Sequence, residues 1–70
     1  DRIKIDSLSK REVQVLKLFI RGKKNVQISN RLNINQKTVS TYQRRIMKKL
    51  GVNSKVELFM MAKSHIKQPY

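Results

Sequence analysis

Lys37, Ser40, Thr41, Arg44 and Lys48 follow one another at intervals of three, one, three and four residues. At 100° per residue they fall on one side of a helix. Their chemistry is hydrogen bonding and positive charge, with no nucleophile–base pair among them. Short hydroxyls come first and cations follow along the length. Arg can place two parallel hydrogen bonds on guanine O6 and N7, and Thr can offer its methyl to a thymine methyl. Ser40, Thr41 and Arg44 are therefore candidates for base edges. Lys37, Arg45 and Lys48 are candidates for phosphates, which set register but carry no sequence information. The bland alternative for such a face is a solvated surface.

The opposite side of the same segment is apolar. Val39, Tyr42, Ile46 and Leu50 recur at three, four and four residues, which makes a buried seam. Tyr42 reads as partly core, with a hydroxyl able to reach a phosphate. Asn35 precedes the segment as an N-cap and Gly51 closes it, so a helix over 36–50 is predicted. Immediately upstream, Ile28 and Leu32 face inward on a shorter helix that Asn25 is expected to cap. Ser29 is small enough for a close helix crossing. Asn33 tolerates a left-handed link, and Ile34 plugs the turn. Two helices joined in this way form a helix-turn-helix.

Two more helices complete the chain. Ser9 and Glu12 form a capping box for the first, with Leu8 as a staple against Val13. Val15, Leu16 and Phe19 line its inward face, Leu18 and Ile20 flank it, and Gly22 is its left-handed C-cap. Ser54 and Glu57 form a second capping box for a helix running to about Ile66, with Leu58, Phe59, Ala62 and Ile66 inward. Outward lie Val56 and Met60, four apart, with Lys63 beside them. They are either ordinary exposed side chains or a two-fold contact. Lys23 and Lys24 either bind phosphate at the start of the second helix or only solubilise the turn. The expectation is an all-α, four-helix domain over 8–66, with a linker at 1–7 and a tail at 67–70.

Composition agrees with a polyanion partner. Seventeen Lys and Arg face four Asp and Glu, a formal charge of +13 in seventy residues. Nucleic acid is the first candidate for that field, then an anionic membrane, then an acidic protein. A chain this short buries only about 60% of its unfolded surface, which leaves little room for a catalytic pocket. There is no cysteine, and one histidine, His65, builds no metal site alone, so neither metal nor cofactor is expected. The apolar run 58–62 is far below the roughly 20 residues of a membrane span. The first residue is Asp1 rather than Met, which suggests a fragment or a processed chain with a domain before it. Two competing classes are an RNA-binding or ribosome-associated module, and a protein-binding module using the fourth helix. The first is disfavoured because Phe19 and Phe59 are placed inward, leaving few aromatics for unstacked bases.

Ser-Leu-Ser-Lys-Arg-Glu at 7–12, Val15-Leu16, Gly22, Asn25, Ile28, Leu32-Asn33-Ile34, Lys37-Thr38-Val39-Ser40-Thr41-Tyr42 and Lys49-Leu50-Gly51-Val52 resemble the LuxR-type helix-turn-helix domain. Within that family the chain is similar to effector domains of NarL/FixJ-type response regulators, and to the EvgA/BvgA-like group in particular. The resemblance implies a four-helix domain of a cytoplasmic bacterial transcription regulator without catalysis or a small-molecule ligand of its own. It also implies a third helix in the major groove of double-stranded DNA and a fourth helix used for homodimerisation. A preceding receiver or sensor domain is implied as well, and RNA polymerase is a further candidate partner. By position, Ser40, Thr41 and Arg44 fall where the family reads bases, and Lys37, Arg45 and Lys48 near its backbone contacts. The sequence departs from the family pattern at four places: Ser40 for Lys, Tyr42 for His, Ser29 for Ala, and Val26-Gln27 for Lys-Glu. A relative's operator therefore does not transfer.

Overall fold

The computed structural model describes residues 7–65, which form four α-helices. The order is α1 (Lys10–Ile20), α2 (Asn25–Leu32), α3 (Gln36–Leu50) and α4 (Lys55–His65). The linker expected up to Asp6, the inward Ile66 and the tail at 67–70 lie outside the described residues.

Local chemistry accounts for most boundaries. Ser9 Oγ accepts from the Glu12 amide at 3.1 Å, and Glu12 Oε1 accepts from the Ser9 amide at 2.8 Å, so both halves of the expected capping box form. Gly22, at φ +86°, ends α1 in a Schellman motif. The Lys23 and Gly22 amides donate to the Leu18 and Phe19 carbonyls at 3.1 and 3.0 Å. Asn33 occupies the left-handed region at φ 57°, ψ 46°, as the turn requires. Asn35 Oδ1 accepts from the Thr38 amide at 2.8 Å and starts α3. Gly51, at φ 73°, stops it.

Three expectations need correction. Lys24, not Asn25, is the N-cap of α2. A lysine side chain has no acceptor, so only a return bond forms, from the Lys24 amide to Gln27 Oε1 at 2.8 Å. The Asn25 side chain is engaged elsewhere. At α4, Ser54 Oγ accepts from the Glu57 amide as expected, but Glu57 Oε1 takes the Asn53 amide at 2.9 Å rather than that of Ser54. On α1, Leu18 and Ile20 are buried while Phe19 is only partly so. That helix packs against α2, α3 and α4, so its buried surface is wider than one stripe.

Val15, Leu16, Ile28, Val39, Ile46, Leu58 and Ala62 have no exposed surface, and Leu8 and Leu50 close the edges. Burying each large side chain stabilises the fold by about 1.5–3 kcal/mol relative to exposure. Phe19 and Phe59 meet edge to face, with centroids 6.1 Å apart, which joins α1 to α4. Glu12 joins α1 to α3: its Oε1 lies 2.8 Å from Lys49 Nζ. The same ammonium donates to the Ser7 carbonyl at 3.2 Å.

Candidate nucleic-acid interface

The core side of α3 fixes what its other side presents. Val39, Ile46 and Leu50 are buried, and Tyr42 is half-buried against the core. Lys37, Arg44, Arg45 and Lys48 are exposed, while Ser40 and Thr41 are half-buried. Thr41, Arg44, Arg45 and Lys48 line a shallow groove that continues over Met47 and Val52 to Asn53. The structure thus brings Thr41, Arg44, Arg45 and Lys48 together. Lys37 stands a helical turn before Thr41 on the same side. Lys24 is exposed at the start of α2, outside that groove.

The segment carries five cations, Lys37, Arg44, Arg45, Lys48 and Lys49, and no acid. Of these five, only Lys49 has a carboxylate partner among the described residues, Glu12. Burial pushes the Glu12 carboxyl up, but the Lys49 ammonium and the bonds to Ser9 outweigh it and hold the group below the usual carboxylate range. Lys49 is therefore part of the frame, and the other four cations form the open field.

Two residues of this region were not singled out for it by sequence. Gln43, on α3, is 1% exposed. Its Nε2 donates to Asn25 Oδ1 at 2.9 Å, and Asn25 Nδ2 donates to Ser40 Oγ at 3.2 Å. This chain of side chains ties the start of α2 to the first two turns of α3. The signals were an asparagine beside a helix start and a glutamine at the margin of the apolar stripe. Both have commoner explanations.

On α4, Val56 and Met60 are 70% and 67% exposed, as the sequence placed them. Lys63 is exposed as well, with its ammonium 5.3 Å from the centre of the Phe59 ring. Among the described residues no group of three or more His, Cys, Asp or Glu could hold a metal ion. No described helix is long and apolar enough to cross a membrane.

A left-handed asparagine link, a capped helix with a buried seam and an exposed cationic face define a helix-turn-helix domain. Residues 6–62 match the family of bacterial regulatory proteins called the luxR family, and the chain belongs to it. Among its relatives is the DNA-binding transcriptional activator EvgA of Escherichia coli, 44% identical over 62 residues, which covers 89% of this chain and 30% of EvgA. The response regulator GacA of Pseudomonas aeruginosa is 43% identical over 60 residues, 86% of this chain and 28% of GacA. The response regulator UvrY of E. coli is 41% identical over 59 residues, 84% and 27% of the two chains. The chain thus spans less than a third of the length of these curated relatives.

Proposed function

We propose that this chain is the sequence-specific, double-stranded DNA-binding output domain of a cytoplasmic bacterial response regulator, with α3 in the major groove. The observation that carries the reading is the exposed field of Lys37, Arg44, Arg45 and Lys48 on a helix with no acidic residue. Such a field neutralises phosphates and releases counterions. Ser40, Thr41 and Arg44 read base edges. Lys37, Arg45, Lys48, Lys24 and the Tyr42 hydroxyl meet the backbone. Single-stranded RNA fits less well, because the Phe19 and Phe59 rings are packed against each other and offer no stacking platform. The name of EvgA, a transcriptional activator, and those of GacA and UvrY, response regulators, support a transcription regulator that answers a signal; RNA polymerase is the further partner that such a role would call for. Enrichment of a defined sequence from a random duplex pool tests the reading; equal retention of all sequences overturns it.

Two substitutions separate reading from gripping. Arg44→Ala is expected to cost about 1–3 kcal/mol of binding and to relax specificity at one base pair. Equal losses on specific and random duplexes would make Arg44 a phosphate contact. Lys48→Ala is expected to weaken all duplexes alike and to reduce the slope of log K against log salt by about 0.9. An unchanged slope counts against the phosphate role.

Val56 and Met60, exposed and four apart on α4, support a symmetric dimer on paired half-sites about one helical turn apart. Lys63 borders the same contact. Met60→Asp is expected to abolish cooperative binding to paired half-sites while single half-sites still bind and circular dichroism stays unchanged. Retained cooperativity would move the dimer contact away from α4.

A further inference from the structure

Gln43 is buried, and its Nε2 donates inward to outward: to Asn25 Oδ1 at 2.9 Å, and from Asn25 Nδ2 on to Ser40 Oγ at 3.2 Å. The direction of this chain matters, because amide groups can be built either way round. Reversing both amides would give Ser40 O–H to Asn25 Oδ1 and Asn25 Nδ2 to Gln43 Oε1. Both N–H groups of the Gln43 amide would then be buried without a partner. The direction present leaves Gln43 Oε1 and only one of the two N–H groups without a partner among the described residues, and an under-satisfied carbonyl is tolerated more readily than a second buried unpaired N–H. The chemistry of the pair thus favours donation toward Ser40.

Donation toward Ser40 sets what its hydroxyl has left. One lone pair of Oγ is taken by Asn25, and the hydroxyl hydrogen remains for a partner outside the protein. Thr41 is in the converse state. Its Oγ1 donates to the Lys37 carbonyl at 3.1 Å, so its hydrogen is spent. What it offers outward is lone pairs and a methyl group.

We infer that Asn25 and Gln43 are positioning residues that hold the Ser40 hydroxyl as a hydrogen-bond donor toward DNA, so that Ser40 and Thr41 read groups of opposite polarity. The inference rests on the proposed placement of α3 in the major groove. There guanine, adenine and thymine all present an acceptor, while cytosine presents only its N4 donor. Ser40 as a donor selects against cytosine at its base pair. Thr41 as an acceptor favours cytosine or adenine, or a thymine methyl, and selects against guanine.

The test is selection of bound sequences from a random duplex pool with the wild-type domain and with Ser40→Ala, Asn25→Asp and Gln43→Leu, each checked for helix content and melting. Cytosine should be depleted roughly three- to tenfold at one position by the wild type, the range expected for a single hydrogen bond. Ser40→Ala should erase that depletion. Asn25→Asp keeps the acceptor for Gln43 but can only accept from Ser40, so the hydroxyl turns inward and cytosine should become tolerated or preferred at the same position. The added negative charge weakens all duplexes alike and leaves the relative preferences readable. Gln43→Leu, which frees the Asn25 amide to turn over, should relax the same position, and it stands in if Asn25→Asp does not fold. A wild type that enriches no sequence overturns the groove placement and this inference with it. A wild type that enriches one, with Ser40→Ala altering a position that Asn25→Asp and Gln43→Leu leave as it was, overturns the relay alone.

Discussion

Ile46→Ala is expected to destabilise the domain by about 2–5 kcal/mol and to remove DNA binding through loss of the fold. Ile46 has no exposed surface, so deleting its outer carbons forfeits transfer energy and leaves a cavity. Total stabilities of about 5–15 kcal/mol are usual, and a domain this small belongs toward the lower end. The cavity opens under the turns that carry the exposed Arg44, Arg45 and Lys48, so the cationic face loses packing support beneath it. Thermal unfolding followed by circular dichroism should show a midpoint lower by roughly 10 °C or more. Arg44→Ala should leave that midpoint within a degree or two, since its side chain is exposed. An Ile46→Ala protein that melts like the wild type would show that α3 is held mainly by other contacts.

Glu12→Ala should have the next largest effect, on the order of 2 kcal/mol. The change removes the return half of the α1 capping box, worth about 1 kcal/mol by analogy with other caps. It also removes the carboxylate that holds Lys49 at 2.8 Å. The ion-pair part is modest, because the Lys49 side chain is 40% exposed and can recover water and counterions. Glu12→Gln separates the two parts, since its amide oxygen can still accept from the Ser9 amide. The folded state holds the Glu12 carboxyl below its ordinary range. Its contribution to stability is therefore complete above the unfolded value of about 4.3 and is lost as pH falls through the lower folded value. Melting midpoints measured from neutral pH down through that window should fall more steeply for the wild type than for Glu12→Ala. Parallel curves would show that this carboxyl carries no share of the acid sensitivity.

Much of this was legible in the residues, and the reason is locality. Ser9 with Glu12, Gly22, Asn33, Asn35 and Gly51 each act on backbone groups within a few positions of themselves, so their meaning is written in the sequence. The four helices and the exposed cationic side of α3 followed from them and from the 3.6-residue period. Asn25 was misplaced because a local rule favours asparagine as an N-cap, while its true partner, Gln43, lies 18 residues away. Gln43 itself falls only about 20° beyond Leu50 on the helical wheel, at the margin where a polar residue is usually half-wet. A wheel records one face, and α1 buries several, which is why Leu18 and Ile20 are more enclosed than a single stripe allows. The outward polarity of Ser40 and Thr41 had no sequence signal, because a hydroxyl's remaining hydrogen depends on which neighbour reaches it.

The run of cations on α3 also has a consequence for the free domain. Arg44 and Lys48, and likewise Arg45 and Lys49, are like charges four residues apart, and each such pair costs a helix about 0.2–0.5 kcal/mol. Lys48 and Lys49 recover part of this at the C-terminal end of the helix dipole, whereas Lys37 sits at the unfavourable end. The helix is thus under electrostatic tension until a polyanion lies beside it. Dissolved salt then acts with opposite signs on the two states. It shields the repulsion and steadies the unbound domain, and it loosens the complex by making counterion release less favourable. Ionic strength therefore works as a dial between a protein content to stand alone and one that needs its partner.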